Sequence, residues 1–212
     1  MTRPILLIGG GGHGKSVLGS LLRAGLSVAG IIDPDGQGKS LLGVPILGGD
    51  EIVLGFAPDA IDLVNGIGNV GNPGPRVRVH SFFADRGYRF ATLIDPTAII
   101  GAEVVLEPGV QVLAGAVVQT GCHLEQGCVV NSRAVVDHDC RIGAHAHIAT
   151  GAVLAGSVTV GARALVGCGA SVRHRIRIGD DAVIGTGAAV VADVAASNMV
   201  VGVPARPLQR GV

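Results

Sequence analysis

Histidine is the side chain that exchanges a proton near neutral pH, and this chain carries seven, at positions 13, 80, 123, 138, 145, 147 and 174. One stands in a setting suited to catalysis: in Val136-Asp137-His138-Asp139-Cys140 an imidazole lies between two carboxylates. A carboxylate bonded to one ring nitrogen fixes the tautomer and raises the basicity of the other, as a general base acting on an amine or a hydroxyl requires. His138 with Asp139 is therefore the expected catalytic pair. The four cysteines, 122, 128, 140 and 168, contain no CxxC pair. Neither a zinc knuckle nor a dense disulfide framework is expected, nor any metal centre.

A catalytic pair needs a frame, and the frame is visible as a repeat. Steps of six from Ile100 to Val190 land sixteen times, always on Ile, Leu or Val. Two residues before every landing stands Ala, Val, Cys or Ile, including Cys122, Cys128 and Cys140. Inward places two apart, followed by a corner, fit a short strand; the 3.6-residue period of an α-helix would smear this stripe around the cylinder. Such hexads read as a parallel β-helix. Three sides per coil stack the sixteen hexads into a prism roughly 25 Å tall at ~4.8 Å per coil. Gly101, Gly143, Gly161, Gly167, Gly179 and Gly185 directly follow landings, where a close-packed corner excludes a Cβ. His138 falls two places past a landing, on a corner outside the packed interior, whereas Cys140 belongs to the small inward series. Cys140 is therefore read as a packing residue rather than a nucleophile.

The residues before the repeat read differently. A short buried strand at 4–8, a helix at 15–24 and a second strand at 26–32 form one βαβ unit with the turn Gly9-Gly10-Gly11-Gly12-His13-Gly14-Lys15-Ser16. Such a turn aims backbone amides and a helix N-terminus at phosphate. The same residues satisfy both GxGxxG and the Walker pattern. A P-loop NTPase needs a longer parallel-sheet domain, and a dinucleotide dehydrogenase needs a second such half. About 95 residues precede the repeat, too few for either. A third strand is expected at 60–64, a loop at 66–75, a helix at 76–87 and a strand at 88–94 that hands over to the prism at Asp95-Pro96. The expected division is 1–95, 96–194 and a tail at 195–212.

Composition removes other classes. Sixteen basic and sixteen acidic side chains cancel, so there is no broad field for nucleic acid. Glycine is 35 of 212 residues, yet 48% are hydrophobic, which excludes a disordered chain. No apolar run reaches the ~18 residues of a membrane helix or forms a signal-peptide core. A soluble cytoplasmic protein without nucleic-acid or membrane partners is expected.

Ile142-Gly143, Val160-Gly161, Val166-Gly167 and Ile178-Gly179 resemble the hexapeptide acyltransferase superfamily, which implies a left-handed parallel β-helix and a homotrimer. Five further phrases run in order along the chain: Gly12-His13-Gly14-Lys15, Gly66-Ile67-Gly68-Asn69, Leu93-Ile94-Asp95-Pro96, Val136-Asp137-His138-Asp139-Cys140 and Val201-Gly202-Val203-Pro204-Ala205. Together they resemble the sugar O-acyltransferase group related to sialic acid acetyltransferases, which includes N-acetyltransferases of nucleotide-linked 4-amino-4,6-dideoxy sugars of the perosamine and bacillosamine type.

The resemblance implies a Rossmann-like nucleotide-sugar domain and acetyl-CoA as co-substrate, with the sugar carried by GDP, UDP or dTDP. His138 and Asp139 match the family's base and its partner. Contacts to acetyl-CoA are implied for His147, Cys168 and Thr186, with Arg206 near its phosphates. Contacts to the nucleotide sugar are implied for Gly11, Gly12, His13, Gly14, Asp33, Pro34, Gly68 and Asn69. His138 and His147 stand nine residues apart, half a coil, so a site using both lies between subunits. Asp95 replaces the family's frequent His, Gly11 its small polar residue, and Asp33-Pro34 its acidic pair. Sugar or sialic acid O-acetylation is the alternative activity, and a non-catalytic trimeric nucleotide-sugar-binding scaffold is the alternative of another class.

Overall fold

The computed structural model describes residues 3–69 and 71–208. Two compact units, Met1–Pro96 and Thr97–Val212, make up the chain. In the first, strands β1 (Ile5–Ile8), β2 (Val28–Ile32), β3 (Ser40–Leu41), β4 (Val44–Gly48), β5 (Asp62–Asn65) and β6 (Arg89–Phe90) form one sheet in the order β3-β4-β2-β1-β5-β6. All neighbours are parallel except the β3–β4 hairpin. β1 is central and all four of its residues are buried, as a strand covered on both faces must be. Helices α1 (Gly12–Arg23), α2 (Asp50–Leu54) and α3 (Gly74–Ala84) complete the unit. α1 buries Val17, Leu18 and Leu21, the apolar stripe legible in the sequence.

Several elements differ from the sequence reading, among them α3, which spans Gly74–Ala84 rather than 76–87. α1 begins at Gly12 rather than Lys15, so the glycine-rich phrase is the first turn of a helix and not only the loop before it. The hairpin β3–β4 and helix α2 were not legible. The hairpin turns at Leu42 and Gly43, with φ of 48° and 82°, the left-handed geometry that matches strand twist but here lacks the usual Asn-Gly signal. The strand expected over 88–94 is broken into β6 and Leu93–Ile94.

The second unit is the hexad prism. Sixteen two-residue strands run from Ile99–Ile100 to Ala189–Val190, one every six residues. Each of the first thirteen pairs in parallel with the strand 18 residues on, as Val117–Val118 does with Val135–Val136 and that with Val153–Leu154. Both inward series are buried from Val110 to Val190, Cys122, Cys128 and Cys140 among them. The fold is a Rossmann-like unit followed by hexapeptide-repeat parallel sheets, consistent with the left-handed β-helix implied by the resemblance. Residues set apart as a tail contribute Met199–Val201, which pairs with Val183–Ile184, and an antiparallel partner, Arg206–Pro207.

Two backbone requirements shape the corners. A Cβ on Gly143 would lie 2.6 Å from the amide nitrogen of Ala162 in the next coil, so glycine there is a condition of stacking. In addition, every sixth residue from Glu103 to Gly187 has positive φ. Glycine holds some of these places, but Asp139 (59°), His145 (58°) and Arg163 (60°) hold others. An L-residue there is held by its neighbours against its own preference, and Asp tolerates the conformation better than most.

Candidate active site

His138 and Asp139 form the two-residue corner between strands Val135–Val136 and Arg141–Ile142. The ring Nδ1–H donates to Asp139 Oδ2 at 2.8 Å. Nε2 is left as the basic nitrogen. The pair is exposed, at 53% and 65% of the side-chain surface. The hydrogen bond to Asp139 is the main cause holding the imidazole pKa above its ordinary 6.5, and the negative charge of Asp137 adds to it. Two glycines make room for the pair. A Cβ on Gly121, one coil earlier, would lie 2.7 Å from Asp139 Oδ1, and one on Gly156, one coil later, would collide with His138 Nε2. The left-handed backbone at Asp139 turns its carboxylate back toward the preceding residue's ring.

Cys140, next in the chain, is fully buried. The hydrogen bond its side chain makes to Cys122, in which Cys140 keeps the proton, and burial push its thiol pKa up, so it offers no thiolate nucleophile. His147 lies on the outward side of strand His147–Ile148 and is buried to 4% exposure. Its Nε2 is 3.0 Å from Asn131 Nδ2, while Asn131 Oδ1 accepts the Ser132 amide at 2.7 Å. With the amide so oriented, Asn131 donates to Nε2 and the imidazole is the neutral Nδ1–H tautomer. Asn131 escaped the sequence reading because it lies 16 residues from His147, off the 18-residue stacking interval.

Thr150, Cys168 and Thr186 share a corner three coils tall, and each is exposed. Each precedes a glycine of positive φ, Gly151, Gly169 or Gly187, at which an added Cβ would meet nothing within 4 Å. Among the described residues the backbone amides of Thr150, Gly156, Cys168 and Thr186 donate no hydrogen bond. This is a smooth ridge of small side chains and available donors. Arg206 is exposed, and its Nη1 donates to the Ala205 carbonyl at 2.9 Å.

In the first unit the chain passes from β1 outward to β2 and β4, then returns to the other side of β1 at β5, which makes the carboxyl ends of β1 and β5 a switch point of the kind where open α/β sheets bind ligands. A cavity of about 460 Å³ opens at these strand ends, lined by Gly9, Ile32, Asp33, Pro34, Gly49 and Ile67 among others. The loops meet closely. A Cβ on Gly14 would overlap the Gly9 carbonyl oxygen, one on Gly66 would lie 2.5 Å from that same oxygen, and one on Gly68 would press on His13 Cβ at 3.2 Å. Gly11 caps α1 without a side-chain hydrogen bond, and the first turn holds no acid, so no carboxylate of the first turn offsets the positive end of the helix. Asp33 accepts the Gly10 amide at 2.7 Å and the Asp35 amide at 3.1 Å, tying the glycine loop to the turn at Pro34–Gly36.

Asn69 is 95% buried; its Oδ1 accepts the Gly71 amide at 2.9 Å, and its Nδ2 has no partner among the described residues. Arg76 was read only as helix. It is buried and donates to the Asn65 and Ile67 carbonyls at 3.0 and 2.8 Å, while Asn65 returns a bond to the Arg76 carbonyl. No sequence signal marked it, since arginine is ordinarily a surface residue. Among the described residues no group of three His, Cys, Asp or Glu side chains could hold a metal ion, and no helix is long and apolar enough to cross a membrane.

A Rossmann-like unit and a hexapeptide-repeat unit with a histidine–aspartate corner define a hexapeptide-repeat acyltransferase. Residues 4–78 match the PglD N-terminal domain, and residues 121–156 match the bacterial transferase hexapeptide (six repeats). No curated protein matches significantly. Among solved structures, the acetyltransferase domain of PglB from Neisseria gonorrhoeae, solved also with acetyl coenzyme A, is 33% identical over 98% of this chain and 100% of that one, with a TM-score of 0.92. PerB from Caulobacter crescentus, in complex with CoA and GDP-perosamine, is 36% identical over 98% of both chains, with a TM-score of 0.90. The chain belongs to the family of nucleotide-linked amino-sugar N-acetyltransferases.

Proposed function

We propose that this protein transfers the acetyl group of acetyl-CoA to the 4-amino group of a nucleotide-linked 4-amino-4,6-dideoxy sugar. The observation that carries the reading is the exposed His138–Asp139 pair, with Nδ1 bonded at 2.8 Å and Nε2 lying against Gly156. The sugar amine enters as ammonium and gives one proton to solvent. Its lone pair attacks the thioester carbon, His138 Nε2 takes the second proton, and Asp139 steadies the imidazolium. The free amide of Gly156 faces the oxyanion. The C–S bond breaks, and the departing sulfur recovers the proton from His138 as CoA thiol.

The ridge of Thr150, Cys168 and Thr186 suits the pantetheine arm, because it offers amide donors and no bulk. His147, paired through Nε2 with Asn131, borders the thioester region, and Arg206 takes the cofactor's phosphates. In the first unit the diphosphate sits on Gly11, Gly12, His13 and Gly14 at the start of α1, with Asn69 Nδ2 as a further donor and Gly68 leaving space for His13. Asp33 and Pro34 flank the ribose. The fit to GDP-perosamine or a UDP-linked amino sugar rests on the switch-point cavity and on the relatives.

The working form is a cytoplasmic homotrimer with sites between subunits. One outer sheet face supports this: Ile99 (61% exposed), Val117, Val135 and Val153 (42% exposed) line up coil over coil as an apolar stripe that a second copy of the chain would cover. Two experiments test the reading. Thiol release from acetyl-CoA is measured with GDP- and UDP-linked 4-amino sugars; we expect turnover to fall by about 10²–10⁴ in His138→Asn, and turnover that survives removes the base. Mixing inactive His138→Ala and His147→Ala proteins restores activity if one site draws on two subunits.

A further inference from the structure

We propose that Asp137 determines the class of nucleophile, favouring an amine over a hydroxyl at the same sugar carbon. The inference rests on the reading of His138 as the base, and it assigns a role to a residue that this mechanism does not use. Asp137 is half-buried on the strand side of the corner. Its Oδ1 accepts the His138 amide at 2.8 Å, and its carbonyl accepts the Cys122 thiol at 3.0 Å. The carboxylate is thus fastened beside His138, near enough for its charge to act on the imidazole.

Among the described residues Asp137 enters no ion pair, and Asp139 is paired only with His138. The corner is therefore anionic on a chain whose total charge is zero. A sugar amine, like an α-amino group of pKa about 8, is mostly ammonium at neutral pH. It is drawn to the corner, and once it has lost one proton and attacked, its nitrogen is positive again in the first tetrahedral adduct, where the same carboxylates stabilise it. A hydroxyl carries no charge and gains neither interaction. Asp139 is committed through Oδ2 to the ring, which leaves Asp137 as the carboxylate free to act on the substrate.

The test uses two substitutions and one pair of substrates. Asp137→Asn keeps an Oδ1 acceptor for the His138 amide and removes only the charge; Asp137→Ala removes both. Kinetics are measured with a nucleotide-linked 4-amino sugar and its 4-hydroxy counterpart. We expect Asp137→Asn to lower kcat/KM for the amine about tenfold, chiefly through KM and less at high salt, as for a partly screened charge pair. The hydroxyl sugar should change little, so the ratio of N- to O-transfer falls about tenfold with it. An unchanged ratio in Asp137→Asn, or a loss confined to Asp137→Ala, overturns the inference and leaves the acetyltransferase reading intact. Wild-type protein that acetylates neither sugar overturns both.

Discussion

The two units use glycine for different ends, and the difference explains how each holds its ligand-facing groups. In the first unit Gly9, Gly14 and Gly66 converge on one carbonyl oxygen, so that a strand end, a helix start and a distant loop cross within backbone contact. In the prism the same absence of a side chain recurs at fixed intervals and sets one coil on the next. Convergence of this kind makes one irreplaceable point. Repetition makes many equivalent points, of which a few have been turned to chemistry. Gly121 and Gly156 are such places, since there the space goes to Asp139 and His138 rather than to backbone.

This contrast can be broken or sharpened. The largest effect is expected at Gly156→Ala: its Cβ would displace a movable ring rather than a peptide, so activity should fall about 100-fold or more, as misplacing a catalytic group does, while the melting temperature barely shifts. Equal losses of stability and activity would refute a role specific to the ring. Gly14→Ala meets backbone and should cost about 2–3 kcal/mol in denaturant unfolding, in the range of overpacked cores, together with the stabilisation a bound nucleotide sugar gives. Asp139→Asn suits the left-handed corner and isolates the charge. His138 works as a base only when unprotonated and its pKa is raised, so activity should fail on the acid side from a pH above 6.5; without the Asp139 carboxylate that limb should move down toward 6.5 in the pH profile of kcat/KM. Asp95→Ala leaves Arg23 without its buried partner, but Arg23 is half-exposed and can hydrate. A loss of about 1–2 kcal/mol is expected in thermal unfolding. Arg163→Ala breaks an exposed pair with Asp181 and should cost no more than about 0.5 kcal/mol.

The prism was legible because its rule is arithmetic: side chains 18 residues apart stack, so the placement of His138 over Gly156 and the column Thr150–Cys168–Thr186 follow from counting. What lay off that interval was not, as with Asn131 against His147. The left-handed corners were also hidden, because Arg133, His145 and Arg163 occupy places that glycine would have announced. In the first unit the βαβ core was readable from its strands and apolar helix stripe. The hairpin β3–β4 was not, since its turn is Leu42-Gly43 and its strands show no alternation of buried and exposed residues. Gly12, His13 and Gly14 read as loop by propensity, yet they are helical, and Gly14 packs so close to the Gly9 carbonyl that no side chain fits there.

The 18-residue pairing makes the second unit a ruler as well as a scaffold. Losing one residue anywhere along it would carry every later landing off the inner wall and leave polar corner residues in its place. Length changes are therefore tolerated only as bulges at a corner or as whole coils.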